Sequence, residues 1–109
     1  MSIFSRLFGA ANRVNPAFCR FTNPEVLHEY DTVIKNIYFI YDSTINQTNK
    51  AQLRYAAKLM RSWNQQAHKI IKEARDKELL VIFIDNNNAI IKAIEYLEKA
   101  GRSKRSKAY

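Results

Sequence analysis

The chain has 109 residues, a formal net charge of +8, 47% hydrophobic and 26% charged residues, and a pI near 9.8. That length bounds it to one domain with one modest core, and six Phe, six Tyr and one Trp exclude disorder along most of it. Only two Gly and two Pro are present, too few for a turn-rich sheet fold, and no run of 18 apolar residues exists to span a membrane.

The opening stretch, 2–14, has helical apolar spacing at Ile3, Phe4, Leu7, Phe8 and Ala11, with Ser5, Arg6 and Asn12 pointing elsewhere. Gly9 weakens it, and a helix this short is marginal alone, so something must bury its phenylalanines. Side chains of this kind cap the open end of a bundle, fill a groove on a second protein, or lie in a bilayer interface. Partner docking through Ile3, Phe4, Leu7 and Phe8 is therefore an expectation, with peripheral membrane contact the weaker one. Ser5 and Arg6 interrupt the cluster, so it does not read as a signal peptide. Residues 1–22 are taken as an arm and loop preceding a helical domain over 23–101.

Asn23-Pro24 predicts a helix start, with Asn capping free N–H groups and Pro tolerated at the first position. Val26, Leu27, Tyr30, Val33, Ile34, Ile37, Tyr38 and Tyr41 then share a face up to about Ile45, and Phe39 stands opposite. Asn46-Gln47-Thr48-Asn49 lacks apolar residues and reads as a turn. The second helix, about 49–77, repeats Leu53, Ala56, Met60, Trp63, Ala67, Ile70 and Ala74 in alternating three- and four-residue steps, the seam of a coiled-coil-like pairing. The run 79–84 is apolar on every side, which periodicity cannot assign. Asn86-Asn87-Asn88 is expected to cap a final helix carrying Ile90, Ile94 and Leu97, with Gly101 terminating it. The fold reading is all-α, an antiparallel three-helix core over 24–45, 49–77 and 79–100, completed in one version by dimerisation. The alternative is α+β with short strands near 36–42 and 79–85. Expected core residues are Leu27, Ile34, Tyr41, Leu53, Met60, Trp63, Ile70, Leu80, Phe83, Ile90, Ile94 and Leu97.

Charge is distributed in blocks. Residues 1–22 carry Arg6, Arg13 and Arg20 and no acid, 23–49 are acidic overall, 50–78 are strongly basic, and 79–98 are mildly acidic. No acidic residue lies between Asp42 and Glu73. At about 100° per residue, Lys50, Arg54, Lys58, Arg61, Lys72 and Arg75 fall within roughly 100° of arc, with Gln65, His68 and Lys69 in or beside it. This positive stripe would run roughly 38 Å at 1.5 Å per residue, comparable with one turn of duplex nucleic acid. The tail 102–109 adds Arg102, Lys104, Arg105 and Lys107 without an apolar anchor before its end. It is expected to be disordered when free and to track phosphates without reading sequence.

Nothing in the chain has catalytic spacing. There is no Gly-rich phosphate loop, and Cys19 is alone, which excludes an internal disulfide and suits a reducing, cytoplasmic setting. His28 and Asp31 have i, i+3 spacing, but two ligands do not make a metal site. No cofactor is expected. The reading is a small binding protein that engages a polyanion, foremost nucleic acid, through Lys50, Arg54, Lys58, Arg61, Lys69, Lys72 and Arg75 with the tail cations. The rival is a protein-interaction module, a regulator or inhibitor that docks on an acidic surface of a larger assembly.

Overall fold

In the computed structural model, residues 20–102 are described, and they form three helices. The first, α1 (Pro24–Thr44), begins as its sequence dictates: the Asn23 side chain accepts from the Glu25 N–H, and Pro24 occupies the first helical position. Asn49 caps α2 (Lys50–Ala74) by accepting from the N–H groups of Ala51 and Gln52. Arg75 closes α2 in the left-handed region, φ 51°, with its N–H on the Ile71 carbonyl. One residue later Asp76 accepts from the Leu79 N–H and starts α3 (Lys77–Arg102). The all-α reading holds, with helix limits close to those expected.

α2 packs along both α1 and α3, whereas α1 and α3 meet only sparingly. The centre of the core is Tyr30, Ile37, Tyr41, Met60, Ala67, Leu79, Ile90, Ala93, Ile94 and Leu97, all at 0% exposure. Tyr38 bridges α1 and α3, its hydroxyl donating to Asn86 Oδ1 at 2.6 Å. Ahead of α1, the Phe21 N–H donates to Glu78 at 2.8 Å and the buried Thr22 hydroxyl to Asp76 at 2.9 Å. These bonds fasten the chain entering α1 to the junction of α2 and α3.

Four expectations need correction. The segments 36–42 and 79–85, weighed as strands, are helical, and Phe39 points to solvent at 71% exposure. Asn86-Asn87-Asn88 does not begin a helix. It lies inside α3, where Asn86 donates to the carbonyl of Ile82 one turn back and accepts from Tyr38, so its polarity is satisfied within the bundle. Leu80 is exposed and Leu79 takes the core position, because Asp76 sets the helix start and the all-apolar run carries no phase of its own. Gly101 remains in the last turn of α3, buried against α2, and does not terminate the helix in a left-handed conformation. Of the other expected core residues, Leu27, Trp63 and Ile70 are half-buried and the rest are buried. The N-terminal arm with Ile3, Phe4, Leu7 and Phe8, and the tail with Lys104, Arg105 and Lys107, lie outside the described residues.

Candidate polyanion interface

The helix that carries the basic stripe is continuous from Lys50 to Ala74, so the cations keep the angular order that their spacing implies. Their destinations differ. At the start of α2, Lys50 and Arg54 turn toward the C-terminal end of α3, the negative pole of the helix dipole. Arg54 Nη1 donates to the Gly101 carbonyl at 2.8 Å, and Lys50 Nζ to that of Ala100 at 3.4 Å. Two turns further on, Arg61 grips Glu98 with both arms of its fork, Nε to Oε2 at 2.8 Å and Nη2 to Oε1 at 2.9 Å. That hydrogen bond holds the Glu98 carboxyl below its ordinary range, and the same bond raises Arg61.

His68, which the helical wheel places in the stripe, also belongs to the α2–α3 seam. Its Nε2 lies 3.2 Å from Asn87 Oδ1, to which the buried Asn64 also donates at 3.0 Å. Its ring meets Phe83 edge to face, with centroids 4.8 Å apart. Three cations and one histidine thus face α3 at least in part.

Lys58, Lys69, Lys72 and Arg75 are exposed, and none has an ion pair among the described residues. Lys69, Lys72 and Arg75 follow one another at three-residue steps and line an open hollow of about 700 Å³ with Glu73. Arg102 is exposed at the end of α3, where the tail leaves. The acids of α1 do not neutralise this set: Asp31 pairs with Lys35 on its own helix at 3.0 Å. Such a row of cations on a rigid rod suits successive phosphates and carries no base-reading geometry.

The wheel could not show Glu98, Gly101 and Asn87 as partners of the stripe, because a wheel describes one helix and these lie on another. The alternation of acidic and basic blocks along the chain was a signal for Glu98 alone; nothing in the sequence pointed to Gly101 or Asn87. A different surface also emerges on α3, where Leu80, Val81 and Ile84 are exposed together at 42%, 63% and 50%. Among the described residues no three His, Cys, Asp or Glu side chains converge on a point, and no helix is long and apolar enough to cross a membrane.

No protein-family model, curated protein or solved structure matches this chain.

Proposed function

We propose that this is a non-catalytic protein that binds a polyanion, nucleic acid foremost, through the exposed cations of α2 together with the basic tail. The observation that carries the reading is the set Lys58, Lys69, Lys72 and Arg75, without ion pairs among the described residues, along one helix and its cap. From Lys58 to Arg75 the row extends roughly 25 Å, within reach of several phosphates on one face of a duplex. Lys50, Arg54 and Arg61 act mainly by joining α2 to α3, so the binding role narrows to the remaining four with Arg102, Lys104, Arg105 and Lys107.

Fluorescence anisotropy with labelled duplex DNA and RNA tests this. Replacing Lys58, Lys69, Lys72 and Arg75 by Glu abolishes binding at moderate salt on this reading. Equal affinity of the wild type and that variant contradicts it.

The protein-interaction reading keeps one observation in its favour. Leu80, Val81 and Ile84 are an exposed aliphatic group with Lys77 four residues before Val81. Phosphates gain nothing from such a surface, whereas an acidic, partly apolar protein face does.

A further inference from the structure

We propose that the groove between α1 and α2 is the docking site for residues 3–8 of this same chain. The inference goes beyond polyanion binding and does not depend on it. The groove, about 510 Å³, is lined by the apolar Val33, Trp63 and Ile70 together with Ser62, Gln66, Lys69, Glu29 and Glu73. It continues toward the start of α1 through a second hollow of about 560 Å³ that shares Glu29, Val33 and Trp63 and adds Glu25 and Val26. Trp63 is the single tryptophan of the chain. It is only half-buried, although Met60 and Ala67 beside it on the same helix are sealed at 0% exposure. An indole left partly uncovered beside Val33 and Ile70, in a groove with acidic side chains, offers an amphipathic basic segment both an apolar and a charged contact.

Three features choose the occupant. The first is position. Phe21 and Thr22 are fastened to Glu78 and Asp76, so residues 1–19 join the bundle at the end where α1 begins and the groove opens. Eleven residues separate Phe8 from Arg20. At roughly 3.3 Å each they reach much further than the roughly 15 Å from Asn23 to Val33 along α1.

The second is shape. Ile3, Phe4, Leu7 and Phe8 at i, i+1, i+4 and i+5 form one apolar stripe as a helix. A stripe of two aromatic and two aliphatic side chains suits the apolar patch that Val33, Trp63 and Ile70 contribute to the groove, leaving its polar residues to the other face of the segment.

The third is charge. Residues 1–19 hold Arg6 and Arg13 and no acid. The groove is edged by Glu25, Glu29 and Glu73 against Lys69 alone, and none of the three carboxylates has an ion pair among the described residues.

Trp63 emission reads the groove directly in the full-length protein. Docking predicts that Phe4→Ala/Phe8→Ala shifts the emission to the red and raises its quenching by acrylamide, while the far-UV circular dichroism of the three helices persists. Glu25→Lys/Glu29→Lys shifts it likewise, and adding Arg6→Glu/Arg13→Glu to that variant restores the wild-type spectrum. Emission unchanged by the phenylalanine substitutions overturns the proposal.

A second measurement does not rely on weakening the interaction. A spin label at position 5 (Ser5→Cys in a Cys19→Ser background) broadens the methyl signals of Val33 and Ile70 and leaves those of Leu80 and Ile84 sharp. Broadening of Leu80 and Ile84 instead overturns the proposal. So does broadening of Val33 and Ile70 that appears only when spin-labelled and isotope-labelled chains are mixed, because the occupant is then a second copy.

Discussion

Gly101 shows how a single residue decides what its neighbours can do. A Cβ added there would lie 2.6 Å from Arg54 Cγ and 3.2 Å from the Lys50 carbonyl oxygen. The missing side chain lets Arg54 lie against α3 and reach the last carbonyls. Gly101→Ala improves helix propensity by up to about 1 kcal/mol, yet overpacking typically costs about 1–3 kcal/mol. We expect Gly101→Ala to lower stability in urea denaturation, and to be neutral or stabilising in an Arg54→Ala background, where the nearest contact is gone. The same sign in both backgrounds contradicts this view of Arg54.

The Arg61–Glu98 pair makes a second prediction at this scale. Glu98 has a folded-state pKa below its unfolded value near 4.5. Its contribution is therefore present above that value and lost as pH falls through the folded-state pKa. Both side chains are partly solvated, so the contribution is up to about 1 kcal/mol at neutral pH. The stability gap between wild type and Glu98→Gln is expected to close in acid. A gap that persists at low pH points to packing, not charge.

The junction of α2 and α3 puts a residue in the left-handed region beside the proposed binding row. Arg75 holds a left-handed conformation, φ 51° and ψ 42°, where side chains other than glycine are disfavoured by roughly 1–2 kcal/mol. Arg75→Gly relieves that strain, partly offset by the greater freedom of glycine in the unfolded chain. We expect a net gain of about 0.5–1 kcal/mol in denaturation midpoint analysis. The same substitution removes one of the four α2 cations of the proposed binding row, so affinity for a polyanion is expected to fall while stability rises. A fall in both marks Arg75 as structural.

The elements also show how far residues alone could be read. α1 and α2 were legible because Asn23-Pro24 and Asn49 are strong local starts and each helix has one clear apolar face. The third was not, over its first half. Residues 79–84 are apolar all round and β-prone, so neither helix nor phase could be read locally. Asp76 supplies both by capping α3, a choice visible only once Thr22 and Leu79 are seen on its carboxylate. The three asparagines at 86–88 look like a break in sequence. In three dimensions Asn86 and Asn87 are the polar joints between α3 and its neighbours, Tyr38 on α1 and Asn64 and His68 on α2. The stripe itself was legible from periodicity, but its division between seam and solvent was not, because that depends on where α3 lies.

The whole molecule is a thin three-helix domain with α2 in the middle and three distinct surfaces around it. One is the partly seam-bound, partly open row of cations. The second is the acidic-edged groove at Trp63, and the third is the aliphatic group on α3. Segregation of this kind lets a small chain hold its own fold together with half of its basic helix while the other half stays exposed.

Lys58, Lys69, Lys72 and Arg75 are proposed to neutralise phosphates. The salt dependence of duplex binding tests this most directly, because each phosphate neutralised releases counterions. The four α2 cations contribute about −3.6 to the slope of log K against log salt, the tail cations steepen it further, and Lys69→Ala/Lys72→Ala flattens it by about 1.8. A wild-type slope near zero, or one that the double substitution leaves unchanged, contradicts the account.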